Sequence, residues 1–291
     1  MMNFENQLKA YQDHIEKYLA DNCSVYPDEP QQTLFEAMRY SLLAGGKRLR
    51  PVLVFDFCRM CGGDWVAAAP LAAALEVIHT SSLIHDDLPC MDNDDYRRGM
   101  PTNHKVYGEA MAVLAGDALL TAAFTYLTKA DLPAENRISA VDILSTCAGE
   151  LGMVGGQVLD MQSEERQCTQ QEVLDIQSRK TGALIRAACA LGVIAGNGSD
   201  KQLSAACEFA DHLGLAFQIR DDMLDVIGDA KELGKAVGVD ADKNTFVQLY
   251  GLEACQRLIQ EHTNSAIAAL NAFTETGFLV DLSYWLTDRN K

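Results

Sequence analysis

The chain has 291 residues, 48% of them hydrophobic and 22% charged, so it can bury a sizeable core and is not expected to be disordered. Its formal net charge of −17 argues against nucleic acid as a partner, because phosphate backbones attract a surplus of Lys and Arg. It suits sites where bound cations supply missing positive charge, although most of these carboxylates need only keep the protein soluble.

The predicted elements are helices from the first residues onward. MMNFENQLKAYQDHIEKYL is charged and amphipathic, so it reads as a helix and not as a signal peptide. Gly45-Gly46 ends one helix and Pro51 falls in the first turn of the next. Further breaks fall at Gly62-Gly63, Asp131-Leu132-Pro133 and Gly196-Asn197-Gly198. Between them, Leu71, Leu75, Ile78 and Ser82 form one helical stripe, and Leu203, Ala206, Ala210, Leu213 and Phe217 another. Strand-like alternation is missing, and no break is long or low in complexity. The expectation is an all-α fold, a single large helical bundle over residues 1–291 with its site in a central cavity between helices. No run of about 18 apolar residues is evident, so no membrane span is expected. Nine cysteines without a repeating spacing suit reduced thiols in a cytoplasmic protein. Cys58-Arg59-Met60-Cys61 lacks the second pair that a zinc site would need.

Residues 84–95, IHDDLPCMDNDD, hold five aspartates within ten positions directly after an apolar helix. Asp86 and Asp92 are six apart, about 120° out of line on an ideal helix, so a shared metal site needs a break, which Pro89 is placed to supply. The second cluster is simpler: Asp221 and Asp225 are four apart and share a helix face, a mutually repulsive arrangement that a cation would relieve. Oxygen ligands without matching His or Cys favour Mg²⁺ over zinc. Basic residues gather near these clusters: Lys47 and Arg50 after Gly45-Gly46, Arg97-Arg98 after the first cluster, and Lys180-Thr181-Gly182 mid-chain. Aspartates with Mg²⁺ on one side and Arg or Lys on the other bind and activate a diphosphate. The stretch 228–245, with three lysines among Gly and Asp, is a candidate flap over that site. No motif supports a Ser or Cys nucleophile paired with His.

At these residues the chain resembles the trans-prenyl diphosphate synthases of the farnesyl and geranylgeranyl type. The likeness runs through GGKRLRP (45–51), IHDDLPCMDNDDYRRGMPTNH (84–104), GGQVLDM (155–161), RKTGALI (179–185) and FQIRDDMLDVIGD (217–229). The resemblance implies the isoprenoid synthase fold, a homodimer, and isopentenyl diphosphate condensing with dimethylallyl or geranyl diphosphate. It implies that Asp86, Asp87, Asp92, Asp221, Asp222 and Asp225 hold about three Mg²⁺ ions. Arg97, Lys180, Lys235 and Lys243 would grip the allylic diphosphate, with Thr181, Gln218 and the Lys180 backbone steadying the allylic cation. Lys47, Arg50, His79 and Arg98 would bind isopentenyl diphosphate, with Phe217 and Gln218 along its chain. His79, on residue type alone, could equally be a core histidine. The family's longer loop spacing shrinks here to two residues between Asp240 and Lys243, and its Tyr-Pro becomes Phe246-Val247, which leaves Lys243 without a firm counterpart.

Product length is expected to rest on Ser81 and its neighbour Ser82, since Ser81 lies about 7.5 Å along the helix from Asp86. A small residue there allows a C15 product and leaves room for C20, unless Phe124 or Met153 supplies the floor. A class I terpene cyclase would share the fold and the first motif, but would not need Lys47, Arg50 and His79. A non-catalytic subunit of a heteromeric synthase would be expected to lose aspartates.

Overall fold

The computed structural model describes residues 3–164, 166–227 and 244–288. Most of the candidate flap, including Lys235 and Lys243, lies outside the described residues.

Helix α1 (Phe4–Asn22) starts where Asn3 Oδ1 accepts from the Asn6 amide at 2.9 Å, and it buries Tyr11, Ile15 and Leu19 at four-residue spacing. Then come α2 (Gln32–Leu42), α3 (Leu49–Met60) and α4 (Ala69–Asp86). In α4 Leu71 through Ile78 are all buried, Glu76 included, so this helix is surrounded on every side. It packs against α1, α2 and α3, and against α6 (Glu109–Thr128) and α10 (Ala183–Ala195). The first aspartate cluster therefore hangs from the end of the central helix.

The expected breaks all fall between helices: 45–46 before α3, 62–63 after it, 131–133 ahead of α7 (Ala134–Ala148), and 196–198 ahead of α11 (Asp200–Ile227). Two breaks were not foreseen. Gly149–Gly152 separates α7 from α8 (Met153–Ser163), and Tyr96–Arg97 pairs antiparallel with Met100–Pro101 as a minimal hairpin, β1 and β2. Its central residues, Arg98 and Gly99, have φ of 54° and 76°, the double positive φ of a tight hairpin turn. A short α5 (Asn103–Tyr107) follows the hairpin.

Helix α9 (Gln170–Gln177) is opened by a capping box between Thr169 and Glu172. It runs into a π-helix, Ser178–Gly182, and from there into α10. The chain closes with α12 (Phe246–Tyr250), α13 (Leu252–Ala269), a 3₁₀ turn and α14 (Gly277–Thr287). Ala210 and Leu213 of α11 join the main core, whereas its Ile219 and Met223 join a smaller one with Val173, Phe246 and Ile259.

One expectation is corrected. Glu109–Thr128 is long and apolar enough to cross a membrane, and so by composition is 134–163. Here the latter is two helices parted by glycines, and α6 packs along α4 with Ala112, Ala115, Leu119 and Ala123 buried. The core covers only part of this helix, since Val113 and Leu114 on its other side are exposed.

Candidate active site

A cavity of about 630 Å³ opens beside the C-terminal half of α4. It is lined by Arg50 of α3, by His79, Ser81, Ser82 and Asp86 of α4, and by Lys180 and Thr181 of the π-helix. Leu120, Met153, Val158 and Leu184 supply much of its apolar wall. Residues expected to act together from three separate stretches of sequence, around Arg50, His79–Asp86 and Lys180–Thr181, thus meet around one space. Of the two alternative floors, Met153 lines it, while Phe124 packs against the main core.

The first aspartate cluster is a broken helix end. α4 stops at Asp86, and the chain turns so that the Asp92 amide donates to the Asp86 carbonyl at 2.9 Å. Asp86 faces the cavity, and burial, with Asp92 and Asp87 adding repulsion, pushes its carboxyl up to about 6 against the pull of Lys180 and Arg97. Asp87 points elsewhere: it is 3% exposed and accepts from Arg97 Nε at 2.6 Å, while Arg97 also meets Asp94 at 3.3 Å. The hairpin makes this possible by turning Arg97 back over the loop. Arg98, at its tip, donates to the Gly45 carbonyl.

In the second cluster, Asp221, Asp222 and Asp225 occupy the last two turns of α11, with Asp222 and Asp225 buried. Asp222 accepts from the Phe246 amide at 2.8 Å and from Gln218 Nε2 at 3.0 Å. Gln218 Oε1 in turn accepts from Thr181 Oγ1 at 3.3 Å. A polar chain therefore runs from the cavity wall to the second aspartate cluster, and Asp222 fixes which way the Gln218 amide faces. Phe217 is packed against the main core.

The GGKRLR segment divides its cations. Arg48, not singled out from the sequence, is a structural anchor with φ of 49°: it donates to Glu16 at 2.7 Å, Glu76 at 2.6 Å and the Leu42 carbonyl at 2.6 Å. Arg50 reaches the cavity instead, its Nε buried without a partner among the described residues. Burial pushes its guanidinium down to about 10 despite the attraction of Glu76. An unpaired cation in a cavity wall is a receptor for an anion. Lys47 is exposed, with its ammonium 5.9 Å from the Trp285 ring, and stands outside the cavity lining. His79 lines the cavity beside Arg50, and burial, reinforced by Arg50 and Arg98, holds it well below its ordinary pKa and so neutral.

The side chains fit magnesium by donor chemistry. Among the described residues no three acidic, His or Cys side chains converge into a closed cage. Mg²⁺ does not need one, because it keeps waters and takes one or two carboxylates plus substrate phosphate oxygens. The six expected ligands form two groups. Asp86 lines the cavity, the Asp92 amide ties that residue to Asp86, Asp87 accepts from Arg97, and Asp221, Asp222 and Asp225 share the last two turns of α11.

The sequence reading missed the π-helix. A π turn in an otherwise regular helix shifts the facing of successive residues and is enriched at functional sites. Here Lys180 and Thr181 both reach the cavity from it. No residue pattern within SRKTG announces that geometry.

Comparison with known proteins agrees with this architecture. Residues 31–275 match the family described as polyprenyl synthetase. The chain is 47% identical over 266 residues to a farnesyl diphosphate synthase of Micrococcus luteus, covering 90% of this chain and 91% of that one. It is 48% identical over 259 residues to the large subunit 1 of a chloroplastic heterodimeric geranylgeranyl pyrophosphate synthase of Arabidopsis thaliana, covering 86% and 70%. Among solved structures, an FPP/GFPP synthase from Zymomonas mobilis superposes with a TM-score of 0.88 at 36% identity, covering 98% of this chain and 99% of that one. The chain belongs to the polyprenyl synthetase family and has its all-helical isoprenoid synthase fold.

Proposed function

We propose that the protein is a short-chain trans-prenyl diphosphate synthase, which condenses isopentenyl diphosphate with dimethylallyl and geranyl diphosphates to farnesyl diphosphate (C15), with room for C20. The observation that carries this reading is a single cavity where Arg50, Asp86 and Lys180 share a wall with Leu120, Met153 and Leu184. Such a space suits charged heads joined to growing apolar chains. The farnesyl and geranylgeranyl synthases among its relatives support the same substrate class.

Asp86, Asp87, Asp92, Asp221, Asp222 and Asp225 would hold about three Mg²⁺ ions, which neutralise charge on the leaving diphosphate, while Asp87 also orients Arg97 and Asp222 orients Gln218. Lys180 and Arg97 add fixed positive charge for the allylic diphosphate, so its C–O bond can ionise. Thr181 donates its hydroxyl hydrogen bond to Gln218 Oε1, which leaves hydroxyl lone pairs to face the allylic cation. Arg50 and Arg98, with neutral His79, would take isopentenyl diphosphate. The apolar wall keeps water from the cation while the isopentenyl double bond attacks and a proton leaves. Lys47 would serve from outside the cavity lining, and Lys235 and Lys243, outside the described residues, would grip the allylic diphosphate.

The exposed apolar side chains Leu114, Ile138 and Leu151 on and between α6, α7 and α8 support a homodimer. All nine cysteines are free thiols, which supports a cytoplasmic setting.

Product analysis with radiolabelled isopentenyl diphosphate tests the reading. C15 with some C20 is expected from geranyl diphosphate, and a sole C10 product from dimethylallyl diphosphate would overturn the open floor. Diphosphate release that does not depend on isopentenyl diphosphate would point to a cyclase instead.

A further inference from the structure

Helix α8 grips Lys180 by both its backbone and its side chain. Gly156 of α8 lies so close to the π-helix that a Cβ there would stand 2.2 Å from the Lys180 amide nitrogen. One turn further on the same face, Asp160 Oδ2 meets Lys180 Nζ at 2.5 Å, with about a quarter of each side chain exposed (22% and 26%). Just before α8, the Leu151 carbonyl accepts from Arg179 Nη1 at 2.8 Å. Three contacts from one short segment thus converge on the residue pair 179–180.

This grip matters because of what lies opposite. Lys180 and Asp86 line the same cavity, and Asp92 stands against Asp86 through the loop turn. A lysine ammonium is a compact charge on a flexible four-carbon stem, so it follows the strongest nearby field. Left to itself it would pair with Asp86, and a cation and a carboxylate would both be withdrawn from the site.

We propose that Asp160 is a positioning residue: it holds the Lys180 ammonium on the α8 wall, away from the first aspartate cluster, and so keeps it available to the allylic diphosphate. This rests on the synthase reading above. A diphosphate, with more than one negative charge, outcompetes a lone carboxylate for the ammonium, so the hold is reversible on binding.

The test compares Asp160→Asn, Lys180→Ala and the double variant, by calorimetric titration with inorganic diphosphate and Mg²⁺ and by steady-state kinetics. Asp160→Asn should weaken diphosphate binding and raise the allylic KM roughly tenfold, the effect of losing one charge-assisted hydrogen bond. It should leave the isopentenyl diphosphate KM within about twofold, and Asp160→Glu should restore much of the loss. In the Lys180→Ala background, Asp160→Asn should add less than about twofold, since the two act as one unit. Equal effects on both substrates, multiplying penalties, or no effect where Lys180→Ala has one would each overturn the positioning role alone. A Lys180→Ala variant with unchanged allylic KM would sink the synthase assignment of Lys180 as well. Should Asp160→Asn not fold, Asp160→Glu carries the comparison, with an intermediate allylic shift expected and an isopentenyl shift of equal size overturning it.

Discussion

Ser81 Oγ donates to the Gly116 carbonyl oxygen at 2.8 Å, which turns the hydroxyl of the expected chain-length residue onto the neighbouring helix. The approach is close because Gly116 has no side chain: a Cβ there would lie 2.1 Å from His85 Nε2. The cavity therefore sees only a small residue at this level, and Leu120, one turn beyond Gly116, lines it further along α6. Ser81→Tyr cannot direct its ring into α6 without a clash, so the ring must enter the cavity. The expected result is a shorter product, C10 in place of C15, read by chromatography of the dephosphorylated prenols. Ser81→Ala should keep the product and cost about 1 kcal/mol of stability for one buried hydrogen bond.

Arg48 and Arg50 are two positions apart and should fail in opposite ways. Arg48 is 3% exposed and paired with Glu76, itself 1% exposed. Removing it leaves a buried carboxylate without its partner, so Arg48→Ala should lose about 3–5 kcal/mol in denaturant unfolding. Arg50 carries a buried Nε with no partner among the described residues, so Arg50→Ala should leave stability close to wild type. Its expected loss is in the KM for isopentenyl diphosphate, by ten- to a hundredfold, the effect of one charged hydrogen-bonding partner.

Asp86 should trade stability for function. Its folded-state pKa is raised to about 6, chiefly by burial, so ionisation destabilises the fold. The sign follows directly: metal-free protein keeps its full stability below the unfolded carboxylate pKa of about 4, and loses stability as pH rises towards 6. Asp86→Asn should therefore stabilise magnesium-free protein at pH 7 by about 2 kcal/mol, read as a raised melting temperature, while abolishing synthesis. The thermal gain should fade on approaching pH 4. An unchanged melting temperature at pH 7 would count against the burial argument.

The cysteines offer a chemical readout of the cavity. Burial pushes the Cys58 thiol up to about 12 and Cys61 up to about 11, so neither should react with iodoacetamide at pH 8. Cys90 is exposed and lines the cavity between Asp86 and Asp92. It should label first, and inorganic diphosphate with Mg²⁺ should slow that labelling severalfold, as mass spectrometry of the tryptic peptide would show.

Much of this molecule was legible in the chain itself, because helical periodicity, glycine and proline breaks and clustered aspartates are local properties. The stripes through Leu71 and Leu203, the breaks at 45–46 and 196–198, and the need for a bend between Asp86 and Asp92 all follow from neighbouring residues. The Arg98-Gly99 turn could also have been read, since an X-Gly pair between short extended segments is a hairpin signal. The π-helix at 178–182 could not, because it depends on what packs against it: Gly156 of α8 fits there as no larger residue would.

What residue order alone determined is the chemistry: which carboxylates cluster, which cations accompany them, and that helices carry them. Tertiary structure decided the assignments within each motif. Lys47, Arg48 and Arg50 are near neighbours in sequence, yet one meets Trp285 on the surface, one is buried against Glu76 and one faces the cavity. Asp86 and Asp87 are adjacent, yet one lines the cavity and the other is held by Arg97. The reason is geometric: Arg48 turns at a positive φ just ahead of α3 and Asp87 follows the last residue of α4, so only the packing of these helix ends against their neighbours selects which direction meets the substrate.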